Sequence, residues 1–174
     1  STARTLLQDT LRQGIQPFLS DATTSTEAIE MNELAGAFLL AEHAASAEQL
    51  FEASLAIDPA LRDPLNNLAW LRLSRGTIDD TTRDLVKRAL IAGPDDPSTL
   101  DTAGWSHYLD GARDPQAQQA VELLQRATST REPSLESLDH SGDAFWRAGK
   151  REQATRAWRQ VAESVPGRGA RNRV

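Results

Sequence analysis

Small and large apolar residues recur along the chain in a fixed order, and that order appears four times. In the clearest copy, Leu138, Gly142 and Phe145 are followed by Ala154 and Trp158. Spacings of three and four residues place such positions on one face of a helix. Each half of a copy therefore predicts one helix, and each copy predicts two helices that fold back on each other.

Three further copies repeat these positions at a period of about 34 residues, the length of a helix–turn–helix repeat. Their members are Met31, Leu34, Ala35, Phe38, Ala47 and Phe51; Leu65, Leu68, Ala69, Arg72, Thr82 and Val86; and Leu100, Ala103, Gly104, His107, Ala120 and Leu124. Repeats of this kind stack on their neighbours and present a surface to a partner. We predict an all-α fold with four repeats over 28–61, 62–96, 97–134 and 135–168.

Signals for helix ends fall where this grid requires them. Thr24 and Glu27 have the spacing of a capping box before the first repeat. Asp63 and Asp96 each precede a proline, a pattern that predicts an N-cap followed by the first helical residue. Glycines that suit the turn within a pair are Gly76, Gly111 and Gly149.

The flanking segments do not fit the repeat grid. Residues 1–27 are predicted to form a helix and a loop, because Leu7, Leu11, Ile15 and Leu19 recur every four residues. This helix is either a cap or the remnant of a preceding repeat. Residues 169–174 are predicted to be a flexible tail.

The chain resembles the tetratricopeptide repeat (TPR) family over residues 28–168. Leu138, Ser141, Gly142, Phe145, Ala154, Trp158 and Pro166 have the spacing of the family signature. The segment 139–146 also resembles the closing repeats of bacterial TPR proteins of the envelope and secretion type. Arg72 and His107 depart from the pattern, since an aromatic residue is usual there. The resemblance implies an α-solenoid of antiparallel helix pairs that acts as an interaction scaffold.

In a TPR array the first helix of each pair lines the concave face, so its inward positions are candidate partner-binding residues. They are Asn32, Asn66, Trp70, Asp101, Trp105, Tyr108, Asp139, Asp143, Trp146 and Arg147. Aromatic side chains among carboxylates and amides suit the anchoring of a peptide. Packing of Trp70 and Trp105 between neighbouring helices is an equal alternative. Trp146 is expected to be accessible, whereas Trp158 is expected to lie in the core.

The charge of the chain limits the class of partner that we expect. The formal net charge is −6, which argues against a nucleic-acid partner. Residues 1–61 carry 2 Arg and 9 acids, whereas residues 135–174 carry 8 bases and 5 acids. TPR domains that capture a carboxylate use basic residues that are missing here. We therefore expect a protein or peptide with apolar and basic side chains.

Residue types that carry chemistry are sparse. The chain has no Cys, and His43, His107 and His140 lack the spacing of metal ligands. No phosphate loop or nucleophile motif is present, so we predict no catalytic residues, no metal, no cofactor and no enzyme activity. No apolar stretch is long enough to predict insertion into a membrane.

These features favour a non-catalytic interaction module that is part of a larger bacterial protein. The bacterial assignment rests on the resemblance and on 17 Arg against 2 Lys, which suggests a GC-rich genome. The alternative is a structural module that dimerises or packs on the rest of its own chain. The sequence leaves the compartment open, because a chain without Cys suits both the bacterial cytoplasm and the periplasm.

Overall fold

A computed structural model describes residues 14, 15, 19, 23–111 and 114–164. Over these residues it contains eight α-helices and no strand. The helices are α1 (Ser25–Leu40), α2 (Ala44–Ile57), α3 (Arg62–Ser74), α4 (Asp80–Ala92), α5 (Pro97–Leu109), α6 (Asp114–Ala127), α7 (Leu135–Arg147) and α8 (Arg151–Ser164). The predicted all-α fold is confirmed. The predicted N-terminal helix and the tail over 169–174 lie largely or wholly outside the described residues.

The chain divides into two compact units, residues 1–92 and 93–174. The first unit contains the pairs α1–α2 and α3–α4, and the second contains α5–α6 and α7–α8. Within each unit the two members of a pair pack on each other, and the second helix of one pair contacts the first helix of the next. None of these helices is long and apolar enough to cross a membrane.

Two of the predicted helix starts have the expected caps. Thr24 and Glu27 form a reciprocal capping box at α1. Asp96 caps α5 by accepting a hydrogen bond from the Thr99 backbone N–H at 3.0 Å. The prediction of an N-cap at Asp63 is wrong, because α3 already begins at Arg62. Proline is tolerated throughout the first helical turn, where no backbone N–H has an intrahelical partner, so a following proline does not fix the cap.

The turns within the pairs follow a common geometry. Gly76, Gly111 and Gly149 have φ values of +77°, +76° and +75°, in the left-handed region that glycine adopts without strain. The first pair has no glycine at this turn, and Glu42 takes a φ of +63° instead. A side chain in this region costs about 1–3 kcal/mol. The first pair therefore forms the same turn at the expense of local strain.

The core of the second unit depends on close approach between the two helices of a pair. A Cβ placed on Gly104 would lie 2.6 Å from Leu124 Cγ and 3.2 Å from the Leu124 backbone nitrogen. A Cβ on Gly142 would overlap the indole of Trp158, which packs against the core cluster and is only partly buried. Leu124 is fully buried. Small residues on the first helices thus allow large residues on the second helices to fill the space.

Polar contacts replace part of the aromatic packing in the first unit. Arg72, which stands where an aromatic residue is usual, forms ion pairs with Glu48 at 3.1 Å and Glu52 at 2.7 Å. Glu48 also pairs with Arg75 at 2.8 Å. These contacts connect α2 to α3. The departure of Arg72 from the repeat pattern is thus compensated by a network of charges.

We predict opposite effects of one substitution at glycines in different surroundings. Gly104→Ala and Gly142→Ala should each lower stability by about 1–3 kcal/mol, because the added methyl group forces the second helix outward. Gly36→Ala in α1 is the matched control, since a Cβ there meets no atom within 4 Å. It should raise stability by about 0.5–1 kcal/mol through helix propensity. Thermal melting followed by circular dichroism measures all three, and a lowered melting temperature for Gly36→Ala alone would contradict the packing described above.

Candidate functional site

Four planar side chains of α5 and α7 form one continuous stack in the second unit. The rings of Trp105 and Tyr108 are stacked with centroids 4.6 Å apart, and His140 covers Trp105 at 3.9 Å. The Arg147 guanidinium lies 3.5 Å above the Tyr108 ring and donates a hydrogen bond to the Tyr108 carbonyl oxygen. Stacking and cation–π contacts of this kind fix the two helices against each other. We call these four residues the stack.

Asp101 is buried and contacts His140 of the stack. Its side chain is 7% exposed, and both of its carboxylate oxygens lie 3.1 Å from His140 Nδ1, whose side chain is 12% exposed. A buried carboxylate requires a partner of this kind, because an unpaired charge is costly away from water. Asp101 was expected to face a partner. The structure places the Asp101 carboxylate against His140, so the contact of Asp101 joins α5 to α7.

Asp139 and Asp143 lie one turn apart on α7. Asp139 is exposed and Asp143 is half-buried. Burial raises the pKa of the Asp143 carboxyl above its usual value, the Asp139 carboxylate raises it further, and His140 and Arg147 oppose the change. Asp139 and Asp143 on α7 are therefore more accessible than Asp101 on α5.

Trp146 is 49% exposed, as expected from its position near the end of α7. One face of its ring is covered by the Arg151 guanidinium, which lies 3.5 Å from the ring centroid. Its ring also meets that of Trp158 at 5.6 Å, with the planes tilted by 46°. Trp146 therefore combines exposed apolar surface with support from α8. Such a supported aromatic residue loses little freedom when a partner binds.

The candidate residues of the first unit lie on α1 and α3, and one hydrogen bond between asparagines joins the two helices. Asn67 donates a hydrogen bond from Nδ2 to Asn32 Oδ1 at 3.1 Å. Asn66 is 8% exposed, and among the described residues no hydrogen-bond donor reaches its buried Oδ1. Trp70 on α3 is half-buried. Asn32 and Trp70 thus remain partly accessible, whereas Asn66 faces inward.

The repeat pattern predicted Trp105, Tyr108 and Arg147 of the stack as site residues but not the contacts among them. A continuous face over all four first helices stays a prediction. His140 and Arg151 were not among the predicted site residues, yet each covers one face of a tryptophan. The signal for His140 was its place directly after Asp139, the position equivalent to Asp101 in the repeat grid. Within the described part of the chain, no group of three His, Asp or Glu residues is placed to hold a metal ion.

Comparison with solved structures shows the fold. The chain is similar to MamA 41-end from Desulfovibrio magneticus RS-1, with a TM-score of 0.64, 16% identity and coverage of 93% of this chain and 92% of that one. It is also similar to TTC0263, a thermophilic TPR protein of Thermus thermophilus, with a TM-score of 0.65, 17% identity and coverage of 78% and 73%. Both are TPR proteins, so this chain has the TPR fold, an α-solenoid of helix pairs.

A second MamA structure superposes with a TM-score of 0.62, 12% identity and coverage of 87% of this chain and 82% of that one. No protein-family model and no curated protein sequence matches the chain. At these identities the likeness defines the architecture, and the role of the site follows only from its own residues.

We predict that Asp101 is more important for stability than its equivalent Asp139. Asp101→Ala should cost about 1.5–3 kcal/mol, because it removes a buried charged hydrogen-bond partner of His140. Asp139→Ala, the exposed control on α7, should change stability by about 0.5 kcal/mol or less. Urea unfolding measures both. Equal effects of the two substitutions would mean that the Asp101–His140 contact does not hold the helices together.

The raised pKa of Asp143 gives a prediction with a defined sign. The folded chain retains this proton to a higher pH than the unfolded chain, so stability falls as pH rises through the range above the ordinary Asp value of about 3.9. Asp143→Asn removes this cost. At neutral pH the variant should melt at the same temperature as the parent or higher, and the difference should vanish in acid. A lower melting temperature at neutral pH would contradict this assignment.

Proposed function

We propose that this chain is a non-catalytic interaction module that binds a peptide or protein segment on the face formed by α5 and α7. The observation that carries the proposal is the exposed ring of Trp146, with the carboxylates of Asp139 and Asp143 on the same helix. The TPR fold supports it, because repeat arrays of helix pairs present such faces to partners.

The stack determines how a ligand can use this face. Tyr108 and His140 both stack on the ring of Trp105, so much of its flat surface is already in contact within the chain. Tyr108 is covered by Trp105 on one side and by Arg147. The large apolar anchor for a partner is therefore Trp146. The stack provides the rigid base beside it, which lowers the entropy lost on binding.

The charged side chains on α7 determine which charge a ligand should carry. Asp139 and Asp143 favour Lys or Arg side chains, because a basic group placed between two carboxylates one helical turn apart is attracted by both. A ligand with an apolar side chain for Trp146 and a basic side chain for the two carboxylates satisfies both features. In the first unit, taken by itself, Asn32 and Trp70 are the candidate residues that stay partly accessible.

Binding of designed peptides tests this function. The probe is a fluorescent peptide that alternates Leu with Lys or Arg, and its matched control replaces the basic residues by Glu. Trp146→Ala should weaken binding of the basic peptide by about 2 kcal/mol, which is roughly thirtyfold. The double variant Asp139→Asn, Asp143→Asn should slow association and reduce its dependence on salt. Fluorescence anisotropy and stopped-flow mixing measure the two effects.

Asp80→Asn is the control for a lost carboxylate, because Asp80 is fully exposed on α4. It should leave affinity and association rate unchanged. The proposal is wrong if the acidic peptide binds as well as the basic one, or if the Trp146 and double Asp variants remain folded and bind like the parent.

A further inference from the structure

A cleft rich in basic side chains lies in the second unit, where the chain enters α8. It has a volume of about 390 Å³ and is lined by Gly149, Lys150, Arg151, Glu152, Gln153 and Arg156. Three of these residues are bases and one is an acid, in a chain whose formal net charge is −6. The basic cleft, as we call it, is therefore opposite in charge to the chain as a whole.

The three bases of the cleft are not used in ion pairs. Arg72 and Arg126 pair with acidic side chains at 2.7 and 2.8 Å. Within residues 23–111 and 114–164, by contrast, no carboxylate forms an ion pair with Lys150, Arg151 or Arg156. Their positive charge is therefore available to acidic groups of a partner.

Arg151 is held in position by Trp146. Its guanidinium lies 3.5 Å from the centroid of the Trp146 ring, and the residue is exposed. A guanidinium stacked on an aromatic ring keeps N–H groups at its edge, and these can donate two parallel hydrogen bonds to a carboxylate. Because the side chain is already positioned, less rotamer entropy is lost when an acid binds. The same contact connects the basic cleft directly to Trp146.

Charges of opposite sign therefore flank Trp146 along the chain. Asp139 and Asp143 precede it on α7, and the basic cleft follows it beyond the turn at Gly149. Asp139 is roughly 10 Å from Trp146 along the axis of α7, since a helix rises about 1.5 Å per residue. About three residues of an extended peptide span that distance. One short segment can thus meet the acids, the aromatic ring and the bases.

We propose that the partner segment carries opposite charges on the two sides of its apolar anchor. Its basic side chains bind Asp139 and Asp143, its apolar anchor binds Trp146, and its Asp or Glu side chains enter the basic cleft. This inference rests on the proposed function and adds to it a second binding site. A segment that is basic on both sides of the anchor would meet like charge at the cleft, which selects against it.

Three fluorescent peptides of equal length test this charge order. They share a basic half and a Leu anchor, and the other half contains Glu, Gln or Lys. The Glu peptide should bind about fivefold more tightly than the Gln peptide at low salt, because exposed ion pairs are individually weak. The Lys peptide should bind more weakly than the Gln peptide. Fluorescence anisotropy measures all three affinities, and added salt should reduce the differences between them.

Charge reversal of the cleft provides the matched test on the protein. Lys150→Glu with Arg156→Glu should invert the order, so that the Lys peptide binds more tightly than the Glu peptide. Arg151 is left unchanged, because it also supports Trp146. Arg83→Glu with Lys87→Glu on α4 gives the same change in net charge and should keep the order of the parent. Circular dichroism confirms that each variant is folded.

The possible failures of the two proposals differ in this experiment. Equal affinities of the parent for the three peptides, or an unchanged order in the cleft variant, would overturn the role of the basic cleft. If Trp146→Ala still weakens binding of all three peptides in that case, the proposed interaction function holds without the cleft. If none of the three peptides binds the parent chain, both proposals are wrong.

Discussion

The close crossing of the two helices within a pair is the constraint on which the structure of the second unit depends. Gly104 and Gly142 lack a side chain where Leu124 and Trp158 approach them. This approach brings the buried faces of both helices into contact. It therefore also fixes which side of the first helix faces away from the second helix. The accessible positions of α5 and α7 follow from that orientation. The exposed face of α5 and α7 is therefore determined by the buried residues on the other side of these helices.

Contacts between aromatic and charged side chains then separate the residues of this face into two kinds. Some make contacts within the chain, and others remain exposed to solvent. The side chains of the stack and of Asp101 make their stacking and polar contacts with one another. Asp139, Asp143 and Trp146 stay partly or fully accessible. This division explains how a face can be rich in aromatic residues and acids and still offer few anchors. Rigid support beneath a small number of exposed groups is the usual organisation of a binding surface.

The sequence was sufficient for the architecture because the repeat pattern is local. Spacing places the small residues opposite the large ones, and the glycines at the turns have one physical role each. The start of α3 was misplaced because a proline marks a first turn and not a unique position in it. The burial of Asp101 could not be predicted, since it depends on the side-chain orientation of His140, a residue 39 positions away. Periodicity identifies the face on which a residue lies, but not the neighbour that will cover it.

The order of helix contacts has a consequence for folding. Within each unit the principal contacts join helices that follow one another in the chain, apart from the contact of α5 with α7. Proteins dominated by such local contacts fold rapidly, because little chain entropy is lost before contacts form. During synthesis the first pair can be complete before the last has left the ribosome. The strained turn at Glu42 would then be formed early, in the segment with the fewest neighbours available to stabilise it.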